Sequence, residues 1–192
     1  NPSLSKGVVP YQEPSHLPRF SLKNDDWAYV WTREGLQRFA LALIDHAKKM
    51  IEQYGTFRIG LDIEFDEEGV TQLSIYPEKY DKACLIHPWG WGKDFPSHMK
   101  TLFELDGVLI IGCNVVGDLH KLRRQFNIMF QRVRDIRRLA VLHKRQKTGL
   151  KDLVAEYLYL YISKQYQRAN FRVAPPLPVH LQELLLAMPF FP

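Results

Sequence analysis

Two acidic residues interrupt an otherwise apolar stretch of the chain, Phe57-Arg-Ile-Gly-Leu-Asp-Ile-Glu-Phe65. The apolar residues of this stretch predict a buried β-strand, in which residues two positions apart point to the same face. Asp62 and Glu64 would then lie side by side, and burying two like charges is costly unless something compensates them. A divalent cation with oxygen ligands compensates them most simply, so the pair predicts a metal site. The alternative is a strand end at which both acids face water.

A second strand supplies a third carboxylate close to this pair. The apolar run from Leu109 breaks at Gly112, and a helix is predicted over 115–126. Asp118 lies in the first turn of that helix, where the helix dipole by itself favours an acid. Because a strand that ends in a helix delivers polar residues to the same sheet edge as other strand ends, we expect Asp118 to lie near Asp62.

These segments resemble the motifs of the DEDD-type 3′–5′ exonucleases. Leu61-Asp-Ile-Glu-Phe65 is similar to their first motif, Asp-x-Glu, and Asn114-Val-Val-Gly-Asp118 is similar to their second, Asn-x-x-x-Asp at a helix start. Asp135-Ile-Arg-Arg-Leu-Ala140 and Gly149-Leu-Lys-Asp-Leu-Val-Ala-Glu-Tyr-Leu158 resemble two later segments in the same order. The resemblance covers roughly 27–177, and it is greatest to the Werner-syndrome, Mut-7 and RNase D-like subgroup.

The resemblance implies a catalytic site that uses two metal ions to hydrolyse phosphodiester bonds. One ion activates water, and the other stabilises the leaving 3′ oxygen. In this family's arrangement Asp62 bridges both ions, Glu64 binds the water-activating ion, and Asp118 supports the second. Oxygen ligands of this kind favour Mg²⁺ or Mn²⁺ over zinc. We therefore expect Asp62, Glu64 and Asp118 to be both the catalytic and the metal-binding residues.

The third motif of the family, Tyr-x-x-x-Asp or a His-containing variant on a C-terminal helix, is not found. The corresponding region, 178–188, contains neither Tyr nor Asp, and the spacing of His180 and Glu183 fits neither version. Either the fourth acid lies beyond Pro192 or the site is degenerate. The first interpretation predicts an exonuclease. The second predicts an inactive exonuclease-like domain that binds nucleic acid or protein, with the apolar segment 181–191 as the surface for a protein partner.

The positive charge of the chain is concentrated between Lys121 and Lys151. The whole chain carries a formal net charge of +5, but this segment holds eleven Lys and Arg residues and one acid, Asp135. Lys and Arg next to an acidic metal site suit a nuclease because they hold the phosphate backbone. The alternative is a solvated helical face. The expected ligand is the 3′ end of single-stranded RNA or DNA, which short sequence patterns do not distinguish. The predicted nucleic-acid-binding residues are Asn114, Lys121, Arg124, Arg137, Arg138, Lys144 and Arg145.

The order of elements predicts an α/β fold. Residues 1–26 contain Pro and Ser without periodicity and predict an extended N-terminal arm, and 27–192 form the exonuclease-like domain. Strands come first and then alternate with helices, so we expect a ribonuclease-H-like mixed β-sheet with helices on both faces. Thr32 and Thr148 are predicted helix caps. Strands are predicted over 27–31, 57–65, 70–76, 82–87, 108–112 and 133–135, and helices over 33–54, 95–105, 115–126, 136–145, 149–160 and 181–188.

The composition indicates an intracellular protein of the nucleus or cytoplasm. No apolar run approaches the ~18 residues that span a membrane, and no secretory signal is visible. Cys84 and Cys113 both lie in apolar runs and are expected to be reduced, buried thiols.

Overall fold

The computed structural model describes residues 27–88 and 91–162, which form a six-stranded mixed β-sheet and five α-helices. The predicted N-terminal arm, the third-motif region and the apolar segment 181–191 lie outside the described residues. In chain order the elements are β1 (Trp27–Val30), α1 (Arg33–Tyr54), β2 (Phe57–Asp66), β3 (Gly69–Pro77), β4 (Ala83–Ile86), α2 (Ser97–Glu104), β5 (Val108–Gly112), α3 (Val115–Phe126), β6 (Arg132–Asp135), α4 (Ile136–Leu142) and α5 (Leu150–Leu158).

The sheet has the strand order β1-β4-β3-β2-β5-β6. Strands β2, β3 and β4 follow one another as an antiparallel meander, whereas β1 pairs parallel with β4 and β5 pairs parallel with β2. Strand β6, which was predicted over 133–135, pairs parallel with β5 and forms one edge of the sheet. The predicted α/β fold is therefore confirmed, and strand β2, which carries Asp62 and Glu64, lies in the interior of the sheet.

The two faces of β2 have opposite character. Its odd-numbered residues from Phe57 to Ile63 are buried, and they pack in one core with buried residues of α1, α2 and α3. Its even-numbered residues are Arg58, Gly60, Asp62 and Glu64, which lie on the other face. The acids are thus not part of the main apolar core. They belong to a polar face of the sheet.

Helix α1 begins and ends where its sequence predicts. The Thr32 side chain accepts a hydrogen bond from the Gly35 backbone N–H at 3.1 Å, which satisfies one free donor of the first turn. Gly55 closes the helix in the left-handed region, with φ of 72°, and donates its backbone N–H to the Ile51 carbonyl. The buried face of α1 consists of Leu36, Ala40, Leu43, Ile44, Ala47 and Met50.

Three of the predicted helices, α2, α4 and α5, are shorter than expected, and one predicted cap is wrong. Helix α2 begins at Ser97 and not at 95, because the residue before Pro96 is biased away from helical backbone. Helix α4 ends at Leu142, after which Lys144 takes a left-handed conformation with φ of 55°. Thr148 does not cap α5; the helix starts after Gly149, whose carbonyl accepts hydrogen bonds from Asp152 and Leu153.

No helix in the described part of the chain is long and apolar enough to cross a membrane. Cys84 is buried, Cys113 is half-buried, and both are free thiols.

Candidate active site

Asp62 and Glu64 lie on the polar face of the sheet, near the end of β2. Both are half-buried. In the antiparallel pairing with β3, Asp62 is opposite Ser74 and Glu64 is opposite Gln72. A β-bulge follows directly, between Glu64 and Phe65. Because bulges turn side chains at the ends of strands, this one ends the regular alternation of β2 just after the second acid.

Gly112 allows β5 and the start of α3 to approach β2 closely. A Cβ atom at this position would lie 2.6 Å from the Leu61 carbonyl oxygen and 2.7 Å from Cβ of Val115. Both distances are shorter than real side chains adopt, so only glycine fits here without a shift of the backbone. The close approach brings the first turn of α3, which carries Asp118, next to the segment of β2 that carries Asp62.

Asp135 holds the connection between β5 and α3 in place. Its side chain is buried, and Oδ1 accepts the Asn114 backbone N–H at 3.0 Å. The same oxygen accepts the backbone N–H groups of Arg137 and Arg138, which caps α4. Asn114 has a left-handed backbone with φ of 63° just before the helix. Asp135 therefore serves the start of α4 and the loop before α3 at the same time.

The other half of α3 is fixed to the β2–β3 hairpin. Gln125 Oε1 accepts the Val70 backbone N–H at 2.8 Å, and the Lys121 ammonium lies over the Phe65 ring. Helix α3 is thus anchored to the sheet at both ends. The position of Asp118 relative to β2 is determined by these contacts and not by the local sequence.

The three carboxyl groups interact electrostatically. Burial raises the pKa of Asp62 to about 6. Burial, Asp62 and Asp118 together raise the pKa of Glu64 to about 7. Burial and Asp62 raise the pKa of Asp118 to about 6, although Lys121 opposes that shift. The structure therefore brings Asp118 close to Asp62 and Glu64, from which the sequence separates it by more than fifty residues, and the like charges of the three acids repel one another.

The donor set suits a hard divalent cation. Asp62, Glu64 and Asp118 offer carboxylate oxygens, the ligands that Mg²⁺ and Mn²⁺ prefer. Within residues 27–88 and 91–162, however, no group of three or more His, Cys, Asp or Glu side chains converges closely enough to hold an ion. The role of these acids as metal ligands stays a prediction.

Uncompensated charge at this site predicts a pH-dependent stability difference between the wild type and Glu64→Gln. The folded-state pKa of Glu64, about 7, lies above its ordinary value of 4.5, so the folded protein binds the proton more tightly than the unfolded chain. The ionised carboxyl group of Glu64 therefore lowers the free energy of unfolding, and this destabilisation grows as the pH rises from about 4.5 to about 7. Without metal, we expect the free energy of unfolding of Glu64→Gln to increase relative to that of the wild type across this pH range. The expected increase is on the order of 1–2 kcal/mol after solvent screening.

Thermal unfolding of both proteins between these pH values measures that difference. Glu52→Gln, at an exposed position of α1, controls for the loss of one negative charge. If the difference in stability between the wild type and Glu64→Gln does not change with pH, Glu64 is not a carboxyl group under charge repulsion.

The sequence analysis did not identify the polar residues of β3 that line the same face. Gln72, Ser74 and Tyr76 are all buried. The Tyr76 hydroxyl group forms a hydrogen bond with Ser74, and burial together with the charge of Asp62 raises the pKa of Tyr76 well above its ordinary value. One signal was available in the sequence, since these three polar residues alternate with Leu73 and Ile75. The antiparallel register was needed to show that they share a face with the acids.

The predicted nucleic-acid-binding residues occupy three places. Asn114, Arg137 and Arg138 line one cavity of about 620 Å³, where the Arg137 guanidinium donates to Asn114 Oδ1 at 3.3 Å. Lys121 and Arg124 line another cavity, of about 640 Å³, beside the β2–β3 turn. The remaining two, Lys144 and Arg145, follow α4 and are exposed.

Among these seven residues, Arg145 forms an ion pair within the described part of the chain. The Arg145 guanidinium lies 3.0 Å from the Glu156 carboxylate, and it also stacks on the Tyr157 ring. Lys121 and Arg124 belong to α3, the helix that also carries Asp118. These two are therefore better placed than Arg145 to contact a phosphate group near the three acids.

The sequence matches the family described as 3′–5′ exonuclease over residues 39–182, which is three quarters of the chain. Among curated proteins, none matches.

Several solved structures resemble the described fold. The catalytic core of RRP6 from Trypanosoma brucei is 16% identical with a TM-score of 0.71, and the match covers 91% of this chain and 45% of that one. Escherichia coli RNase D, an exoribonuclease involved in structured RNA processing, is 20% identical with a TM-score of 0.67, covering 84% and 41%. Brucella melitensis NrnC with bound Mg²⁺ is 20% identical with a TM-score of 0.60, covering 72% and 69%. These likenesses support a ribonuclease-H-like fold. The chain spans less than half the length of the first two proteins.

Proposed function

Since this chain belongs to the 3′–5′ exonuclease family, we propose that it trims single-stranded nucleic acid from the 3′ end by hydrolysing phosphodiester bonds. The observation that carries the proposal is the electrostatic coupling of Asp62, Glu64 and Asp118, which come from two separate elements of the fold. Three acids held together against their own repulsion are expected where a cation and a phosphate group are to be bound.

We propose that Asp62, Glu64 and Asp118 hold Mg²⁺ or Mn²⁺, in a site for two ions. The oxygen-only donor set supports this choice, and so does the Mg²⁺ bound in the structure of NrnC. When bound, such ions supply activation of water and stabilisation of the leaving oxygen. The carboxylates of this chain would position the ions, and they would exclude anionic substrate until their charge is neutralised.

The basic residues are proposed to hold the strand by its phosphates. Lys121 lies close enough to Asp118 to lower the pKa of that carboxyl group, so its ammonium can pair with a phosphate group at the mouth of the site. Arg124 extends the positive surface along α3, and Arg137, Arg138 and Asn114 form a second contact area in their own cavity. The related NrnC was also solved bound to pGG, which supports a nucleic-acid ligand.

Contacts of this kind predict binding that depends steeply on salt and not on sequence. For single strands, the logarithm of the affinity should fall with the logarithm of salt concentration by ~0.7 per phosphate contact. Arg137→Glu combined with Arg138→Glu should weaken all sequences alike and flatten that slope. Lys48→Glu combined with Lys49→Glu reverses the same charges on the exposed surface of α1 and serves as the control.

Fluorescence titrations of a labelled single strand at several salt concentrations measure this slope. If the affinity of the wild type for the strand does not change with salt concentration, the basic segment does not bind phosphate and serves solubility.

Strands labelled at one end test the proposed reaction directly. In Mg²⁺ or Mn²⁺, a 5′-labelled strand should yield a ladder of progressively shorter products, whereas a 3′-labelled strand should release its label as a short product at once. Parallel RNA and DNA strands identify the substrate class. A ladder from the 3′-labelled strand alone contradicts the proposed direction.

The second candidate function is an inactive exonuclease-like domain that binds nucleic acid or a protein partner. Two observations favour it. Among the described residues, no three acids lie close enough together to hold an ion, and the family's third motif is not found in the sequence. If the wild type and Asp62→Asn are equally inert in Mn²⁺ but bind the strand equally well, this second function replaces the first.

A further inference from the structure

Gln72 is a buried polar residue without a hydrogen-bond partner. Its side chain is 1% exposed, and neither Nε2 nor Oε1 has a partner. An amide group can make up to four hydrogen bonds, two through the nitrogen and two through the oxygen. Leaving a buried polar group unpaired costs about 1–3 kcal/mol, and buried polar groups in folded proteins are nearly always paired. Such an exception calls for a partner that arrives with a ligand.

The register of the sheet shows which partner is within reach. Gln72 is directly opposite Glu64 in the antiparallel β2–β3 pair, and residues opposite each other place their side chains on the same face. Their Cβ atoms are then roughly 5 Å apart, a separation that two long side chains can bridge. The Ser74–Tyr76 pair is already satisfied by its own hydrogen bond, and Ser74 is opposite Asp62. Gln72 therefore lies directly opposite Glu64, on the same face of the sheet.

We propose that Gln72 is a positioning residue for the metal site, and that its Nε2–H donates to the Glu64 carboxylate when Glu64 rotates to bind an ion. The hydrogen bond would hold one Glu64 oxygen and leave the other free for the metal. Partners of this kind orient a ligand without touching the ion, and losing one typically lowers metal affinity by about 10–100-fold. The inference rests on the proposed function, because it assumes that Glu64 binds metal.

The Gln72 amide would differ between the metal-free and the metal-bound protein. Without an ion, Asp62 and Asp118 repel Glu64, and its carboxyl group does not accept a hydrogen bond from Gln72. With an ion, that repulsion is replaced by attraction, and the amide gains the acceptor that it lacks. Gln72 would then contribute more to the metal-bound state than to the metal-free state.

Thermal unfolding with and without Mn²⁺ at fixed pH tests this difference, with Gln72→Met as the variant. Met has nearly the shape of Gln but makes no such hydrogen bond, so the metal-free melting temperature should stay equal to that of the wild type or rise. The Mn²⁺ concentration needed for half of the stabilisation should increase about tenfold or more. Gln37→Met, at an exposed position of α1, is the matched control and should change neither quantity.

Two further variants separate the proposal from its alternatives. Gln72→Leu repeats the loss of the amide with a second apolar side chain, in case the first repacks. Gln72→Glu keeps an oxygen but places a like charge opposite Glu64, so it should also weaken Mn²⁺ binding. Tighter Mn²⁺ binding by Gln72→Glu overturns the donor role and makes residue 72 a direct ligand.

The outcome also distinguishes this inference from the proposed function. If Mn²⁺ stabilises the wild type and Gln72→Met to the same extent at the same concentrations, the inference is wrong and the metal site stands. If Mn²⁺ stabilises neither the wild type nor any variant, the metal site fails and the inference fails with it.

Discussion

Asp62→Asn is expected to reduce 3′-end trimming by ~10²-fold or more, which corresponds to at least about 2.7 kcal/mol of transition-state stabilisation. The charge of Asp62 raises the pKa of both other acids, Glu64 and Asp118. Asn keeps the shape of the side chain but removes the negative charge that a divalent cation requires. The loss should therefore appear in the rate of cleavage and not in the amount of folded protein.

Initial rates on a 5′-labelled strand in Mn²⁺, with single-strand affinity measured in parallel, separate catalysis from binding. Asp45→Asn makes the same chemical change at an exposed position of α1 and should keep the wild-type rate. Asp62→Asn should also gain stability without metal, because it removes the charge that repels Glu64. A variant that trims at the wild-type rate would exclude Asp62 from the catalytic site.

Gly112→Ala should lower the free energy of unfolding by about 2–4 kcal/mol, since overpacking of this kind typically costs 1–3 kcal/mol and here also strains the backbone. The added Cβ would lie 2.6 Å from the Leu61 carbonyl oxygen, and backbone atoms cannot move aside as a flexible side chain can. Relief of the clash would separate α3 from β2. We therefore expect the variant also to lose trimming activity, although no acid is changed.

Gly117→Ala provides a matched control five residues further along the chain. A Cβ atom there meets nothing within 4 Å, and Ala is favoured over Gly within a helix by about 1 kcal/mol. The same substitution should thus stabilise at one position and destabilise at the other. Denaturant unfolding of both variants measures the effect, and equal stabilities would contradict a close approach at Gly112.

The elements of this protein were largely predictable because their signals are local. Thr32 and Gly55 bound α1 through contacts with residues three or four positions away. Errors arose where a local signal was weak or overridden. Helix α4 was expected to reach residue 145, but the residues after Leu142 are exposed and gain nothing from burial that would prolong the helix.

The sequence alone also determined which acids to consider. The spacing of Asp62 and Glu64 on a strand, and the position of Asp118 in the first turn of a helix, follow from periods of two and 3.6 residues. The family resemblance rested on these motifs, and the match over residues 39–182 supports it. Local pattern therefore predicts which acids form the candidate site.

Only the tertiary structure decided how these acids meet. Their proximity depends on Gly112, which allows β5 to approach β2, and on Asp135 and Gln125, which fix the two ends of α3. The hydrogen bonds of Asp135 and Gln125 join residues 21 and 55 positions apart, and Gly112 lies against Leu61 of another strand. No local sequence pattern encodes contacts of this kind. The unpaired amide of Gln72 became visible in the same way, because the register of an antiparallel pair depends on both strands at once.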